Sequence, residues 1–254
     1  MLLWHTLSIG THMDNSQKIP MINKAESWKM FNDISPRYDF LNRLLSLGQD
    51  VKWRKKIVKL SPRQDGLRLL DLATGTADVL LTFAENYPHL IDGYGIDLAY
   101  EMLKLGRRKI EQAGLSNRLK LQEGDIANIP FEDNHFDLVT IAFGIRNADD
   151  PEKVLREMCR VLKPKSTALI LEFSLPQNNI IRRCHLFYLR QFVPFIGGLF
   201  SGHYHAYKYL NQTIETFPFG TAFFDMMKKN GFTNIRMYPL LFGAATIYRG
   251  EKRQ

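Results

Sequence analysis

Three aspartates, Asp71, Asp97 and Asp125, each close a short apolar run, and the turn Ala73-Thr74-Gly75-Thr76-Ala77-Asp78 follows the first. A glycine lets backbone approach a ligand closely. Amides at a turn leading into a helix hold carboxylates and phosphates, so Thr74, Gly75 and Thr76 are candidates for gripping an anionic group. An acid at the end of the next strand, Asp97, can accept both hydroxyls of a ribose. Asp125 can accept an adenine amino group, with Ile126 against one face of the base and Met102 over the other. Asp71 and Asp78 offer carboxylates to an ammonium. Singly, each feature has an ordinary structural explanation, since a glycine turn is common and an acid can merely cap the next helix. Together, on successive strand ends, they specify a nucleoside site.

A dinucleotide is the main competitor, but it wants Gly-x-Gly-x-x-Gly at the first turn, and this turn lacks two of those three glycines. A nucleoside that carries both a carboxylate and an ammonium fits the set better, and S-adenosyl-L-methionine is such a molecule.

The elements that must position these residues alternate between strand and helix over 66–174. Leu67–Leu72, Tyr94–Asp97, Leu119–Gln122, Phe136–Phe143 and Thr167–Phe173 read as strands. Val79–Asn86 and Ala99–Ala113 read as helices, the latter with Leu103, Ile110 and Ala113 on one face. A third helix begins at Pro151, with Val154, Leu155, Met158, Val161 and Leu162 as its apolar stripe and Pro164 just past its end. Such alternation implies right-handed crossovers and a parallel sheet, which binds ligands beyond its carboxyl ends. Residues 21–60 read as an N-terminal helical cap, 176–226 as a helical acceptor-site insertion and 230–250 as two closing strands. Residues 1–20 read as a flexible extension, leaving 21–254 as a single domain.

The chain has 254 residues, with 34 basic and 26 acidic side chains and a net charge of +8. That excess favours anionic surfaces, although it is not gathered into one run. Cys159 and Cys184 lie in no metal-ligand spacing, so no metal is expected, and reduced thiols suit a cytoplasmic protein. The N-terminus lacks the pattern of a signal peptide, and no stretch approaches the roughly 20 apolar residues of a membrane span. The sequence is compatible with a homo-oligomer and leaves its state open.

Several stretches narrow the reading. Phe31-Asn32-Asp33-Ile34-Ser35-Pro36-Arg37-Tyr38-Asp39-Phe40-Leu41-Asn42 runs on to Leu45-Ser46-Leu47-Gly48 and Trp53-Arg54. Later come Phe143-Gly144-Ile145-Arg146-Asn147, Leu171-Glu172-Phe173-Ser174, Tyr207-Lys208-Tyr209-Leu210 and Phe217-Pro218. From about Lys24 to Lys252 the chain resembles the ubiquinone/menaquinone biosynthesis C-methyltransferase family. The resemblance implies a class I methyltransferase Rossmann-like α/β fold, with a seven-stranded mostly parallel sheet and helices on both faces. It also implies C-methylation of a polyprenylated quinol with S-adenosyl-L-methionine, which Thr76, Asp97, Asp125 and Ile126 match family positions for binding. Ala142, where some ubiquinone-pathway members carry Ser, tilts the substrate toward demethylmenaquinol. The chain departs from the pattern at Ala77, in place of a second glycine, at Lys163-Pro164-Lys165-Ser166, in place of Lys-Pro-Gly-Gly, and at Tyr248, where many relatives have His.

Methylating a quinol carbon calls for a group that stabilises the phenolate or makes it. Arg146, with Asn147 beside it, suits stabilisation because a guanidinium keeps its proton; the competing reading is that Arg146 only pairs with a carboxylate to hold its loop. Tyr38 and Asp39 are expected to close over the cofactor, with pure packing as the competing reading of Tyr38, and Tyr38, Tyr207 and Tyr209 to line the ring site. The aromatic segment from Ile180 to Tyr209 would hold the prenyl tail, although such residues are also ordinary core. Arg182, Arg183 and Arg190 would rest on the anionic inner face of the membrane, as a peripheral contact, or form a solvated helix face. An RNA or protein methyltransferase is the second reading. Phe143-Gly144-Ile145-Arg146 counts against it, since methyltransferases acting on adenine amino groups tend to carry Asn/Asp-Pro-Pro-aromatic there, and no nucleic-acid partner is expected. A nucleoside-binding scaffold without catalysis is the third.

Overall fold

The structure, a computed structural model, describes residues 24–201 and 204–254. The extension expected over 1–20, and the first three residues of the 21–60 cap, lie outside the described residues.

Strands β1 (Leu67–Leu72), β2 (Leu90–Asp97), β3 (Leu119–Glu123), β4 (Phe136–Ala142), β5 (Leu162–Phe173), β6 (Phe232–Leu240) and β7 (Ala245–Lys252) form one sheet in the order β3-β2-β1-β4-β5-β7-β6. The first five run parallel, while β7 lies antiparallel between β5 and β6. Helices α3 (Asp78–Asn86), α4 (Tyr100–Gln112) and α5 (Pro151–Val161) make the crossovers. Chain order reverses at β1, so the turn after β1 opens on the crevice between β2 and β4.

Period-two alternation divides the central strands between two cores. Leu70, Val139 and Ile170 pack with Met158 and Phe223 on one face. Leu69, Leu138 and Leu169 pack with Ile57, Leu80 and Phe83 on the other. Strands covered on both faces read as continuous apolar runs, which is why β4 was legible. A third core joins the two ends of the chain. Ile34 and Leu41 of α1 (Ser27–Leu45) meet Leu189, Val193, Tyr207 and Ile214. These come from α6 (Asn179–Phe187) through α8 (Tyr204–Thr216), with α7 (Val193–Ser201) between them. Ala99 and Leu175, just past β2 and β5, belong to the same core, so this layer covers the carboxyl edge of the sheet.

Helix ends follow local chemistry. Asp150 caps α5 by accepting from the Lys153 amide at 2.9 Å, and Pro151 occupies its first position. Ala99 has no side-chain oxygen with which to cap α4, so Asn32 of α1 supplies one, accepting from the Glu101 amide at 3.0 Å.

Several element bounds differ from the sequence reading, among them β2, which begins at Leu90 rather than Tyr94. The helix α5 ends at Val161, and Leu162 already starts β5. Lys165 takes φ +65° in the stretch that lacks the usual glycines, and the register against β4 shifts between Phe136 and Leu138; β5 therefore starts earlier than Thr167. Ala113 lies beyond the end of α4 and is exposed rather than packed.

Candidate active site

Two cavities meet beyond the carboxyl edge. One, of about 400 Å³, is lined by Asp97, Met102, Asp125 and Ile126. The other, of about 290 Å³, is lined by Arg146, Tyr188, Leu189, Val193, Tyr207 and Tyr209. Phe31, Tyr38, Ala73, Gly75, Phe143 and Asn147 line both, and so form the shared wall.

The turn after β1 supplies Ala73 and Gly75 to that wall. Ala73, Gly75 and Ala77 have φ of 49°, 54° and 65°. The left-handed region costs an alanine about 1–2 kcal/mol, so Ala77 does adopt the conformation of the missing glycine, at a price in strain. A side chain built on Gly75 would meet nothing within 4 Å, because the space beside it is cavity. The Gly75 amide donates to Asp97 Oδ2 and the Ala99 amide to Asp97 Oδ1, both at 2.8 Å. Burial raises this carboxyl's pKa, against the pull of the Ala99, Gly75 and Leu98 amides. Asp125 is oriented by the Ala127 amide, 2.8 Å from its Oδ1. Asp71, at the floor of the smaller cavity, accepts from Thr74 at 2.7 Å and from Thr140 at 2.6 Å. Burial pushes its carboxyl up to about 7, against the pull of those two hydroxyls.

Asp78 corrects the sequence reading. Its carboxylate is not free for an ammonium, for it pairs with Arg54 at 2.8 Å and Lys109 at 2.7 Å. Thr76 lines the smaller cavity, but its hydroxyl donates to Asp39 at 2.6 Å and accepts from Lys109 at 2.9 Å. Asp39 thus reaches the turn after β1 through Thr76 and Lys109. Arg190 is a second correction: a two-pronged pair with Glu215, at 2.9 and 2.5 Å, occupies its guanidinium.

Arg146 stands in a one-turn helix after β4. Its guanidinium donates to Glu172 Oε1 at 2.8 Å and to the Phe143 carbonyl, and it lies over the Phe173 ring at 5.2 Å. The side chains of Arg146 and Glu172 are 5% and 1% exposed. Arg146 Nε and Asn147 Oδ1 are buried without a hydrogen-bond partner, polar atoms left over at the junction of the cavities. The carboxylate pairing anticipated as the alternative for Arg146 therefore exists alongside its position on the cavity. Tyr38 and Tyr209 feel its charge, which lowers pKa values that burial raises.

The sequence reading missed His185 and Tyr188, which also line the smaller cavity. Only the polarity of His185 within an apolar aromatic segment marked it.

The model of the ubiE/COQ5 methyltransferase family matches residues 20–252. A ubiquinone/menaquinone biosynthesis C-methyltransferase UbiE of Geobacter sulfurreducens is 46% identical over 240 residues, covering 93% of each chain. A demethylmenaquinone methyltransferase of Thermus thermophilus is 44% identical over 223 residues, covering 88% of this chain and all of that one. Among solved structures, a SAM-dependent methyltransferase of Thermotoga maritima, possibly a histamine N-methyltransferase by its description, superposes with a TM-score of 0.61 at 17% identity, covering 89% of this chain and 99% of that one. That likeness shows the class I methyltransferase fold.

The buried pair gives a prediction. Glu172→Ala leaves a guanidinium in the core without its carboxylate, which costs about 3–5 kcal/mol. Urea unfolding should read this as a lower midpoint, with a smaller loss in Glu172→Gln; an unchanged midpoint in Glu172→Ala would show that the pair holds nothing together.

Proposed function

The chain belongs to the ubiE/COQ5 methyltransferase family, and on that footing we propose that it transfers a methyl group from S-adenosyl-L-methionine to a ring carbon of a polyprenylated demethylmenaquinol. One observation carries the reading: a cavity with acids at two strand ends shares a wall with an aromatic cavity that has a guanidinium beside that wall. Ala142 lines both cavities, and an apolar side chain there suits the fused hydrocarbon ring of a naphthoquinol. The prenylated methoxy-benzoquinol of the ubiquinone route is the other ring the family implies.

The residues present fit the cofactor. Asp97, fixed by backbone amides on the cavity wall, presents its carboxylate to a ribose diol. Asp125 faces an adenine amino group, with Met102 and Ile126 as apolar walls for the base. The Gly75 amide is spent on Asp97 and the Thr74 amide on the Ile96 carbonyl, so the Thr76 amide takes the carboxylate, and Asp71 takes the ammonium. When bound, the cofactor supplies a methyl group already activated on a positive sulfur. The protein's part is then alignment and the exclusion of water. The Arg146 guanidinium stabilises a phenolate at the junction, with Asn147 beside it. Tyr38, Tyr207 and Tyr209 wall the ring.

The same reading places the α6–α7 segment against a membrane. No helix among the described residues is long and apolar enough to cross one. Yet Phe187, Phe192, Phe195 and Leu199 are exposed, the last two at 68% and 70%, beside the Tyr188, Leu189 and Val193 that line the aromatic cavity. Arg182 and Arg183 on α6 supply positive charge for anionic headgroups.

Purified protein should move labelled methyl from S-adenosyl-L-methionine to a demethylmenaquinol faster than to a benzoquinol; the reverse preference would reassign the ring, and no transfer to either would end the proposal. Cofactor affinity should rise about tenfold per pH unit up to about 7 and then level, because Asp71 must lose its proton to pair with an ammonium. Asp71→Asn should bind weakly with no such slope in calorimetry; a wild-type affinity that ignores pH would remove Asp71 from the site. Replacing both Phe195 and Leu199 by Ser should weaken cosedimentation with anionic vesicles at least tenfold, since each buried side chain is worth about 1.5–3 kcal/mol. Equal sedimentation of the two proteins would discard the membrane contact.

A further inference from the structure

The proposed reaction requires an acceptor for the proton of the quinol hydroxyl, and the described residues lining the aromatic cavity leave few choices. Asp50 is held by Arg43 at 3.2 Å and Arg54 at 2.6 Å. Asp78 is held by Arg54 and Lys109. Both oxygens of Asp71 accept threonine hydroxyls, and that carboxyl is the partner of the cofactor's ammonium. The Arg146 guanidinium has donors only and no lone pair to accept a proton. Burial raises the pKa values of Tyr38, Tyr188 and Tyr209, so these hydroxyls stay protonated.

His185 differs from all of them. It lies on α6 and lines the cavity, and its Nε2 is buried without a hydrogen-bond partner. Burial also lowers the pKa of its ring, which keeps the imidazole neutral. In the tautomer protonated on Nδ1, Nε2 carries a lone pair that no protein group uses.

We propose that His185 Nε2 accepts the proton of the quinol hydroxyl, acting as the general base of methyl transfer; this rests on the quinol-methylation reading above. The O–H bond breaks and an N–H bond forms on His185. The adjacent ring carbon bonds to the methyl group, and the electron pair of the broken sulfur–carbon bond stays on sulfur. That ring carbon then releases its hydrogen as a proton to water, which restores the aromatic ring, and the imidazolium returns its proton to the ring oxygen. Arg146 stabilises the anionic oxygen and His185 creates it, which divides two tasks that one guanidinium cannot perform alone.

The test is steady-state methyl transfer to a demethylmenaquinol as a function of pH, for the wild type, His185→Gln and His185→Ala, with cofactor affinity measured in parallel by calorimetry. Wild-type kcat/KM should fall as pH drops below the lowered pKa of the ring, where the base is protonated. His185→Gln should lose about 10²- to 10⁴-fold near neutrality and recover in alkali, where the quinol ionises unaided. Added imidazole should restore part of the activity of His185→Ala, and both variants should bind the cofactor as the wild type does. A His185→Gln enzyme with wild-type rate and pH profile would overturn the assignment. So would a loss that persists in alkali and resists imidazole, which would mark a purely structural role. Failure of the wild type on every prenylated quinol would instead remove the reading on which the assignment rests.

Discussion

A positive charge held in a dry junction needs a carboxylate beside it, and the Arg146–Glu172 pair meets that demand at the centre of this protein. Each residue stands at or just past the end of a central strand, β4 for Arg146 and β5 for Glu172. The pair therefore ties together the carboxyl ends of two neighbouring strands where the two cavities meet. The stacking of the guanidinium on Phe173, and its bond to the Phe143 carbonyl, fix its plane. Phe143 itself takes φ +59°, an uncommon state for a bulky residue that typically marks a site where surrounding structure over-determines the backbone. Its ring packs at 4.4 Å from Phe173, and these contacts oppose the strain.

Around this centre, charge fastens the cap to the core. Asp39 of α1, Asp50 and Arg54 of α2 (Gln49–Leu60), Lys109 of α4 and Asp78 at the start of α3 form one connected set through ion pairs of 2.5 to 2.8 Å. Thr76 joins it from the cofactor turn. The network adds charge to the apolar contacts by which α1 and α2 pack on the third core and on one face of the sheet. It also explains why Asp78 is unavailable to a ligand. Opposite it, the third core closes the aromatic cavity by packing α1 against α7 and α8, so the lid of each cavity comes from segments at opposite ends of the chain.

The chain's own letters determined the order of strands and helices, the class of the sheet and the acids at its strand ends, because alternation, apolar runs and turn residues are local signals. The motifs near Tyr38 and Arg146 determined the family by the same local logic. Asp97 and Asp125 line one cavity together with Met102 and Ile126, since successive parallel strands must end at one edge. Tertiary structure alone decided which carboxylates remain open to a ligand. Asp71 and Asp78 look alike in sequence, yet one receives two threonine hydroxyls and the other two cations, supplied from positions up to 69 residues away. It also decided that Arg190 is neutralised by Glu215, and that the one imidazole of α6 turns its Nε2 inward, where nothing binds it. Pairing, burial and the loss of water depend on what folds against a side chain, and none of these is written in its neighbours along the chain.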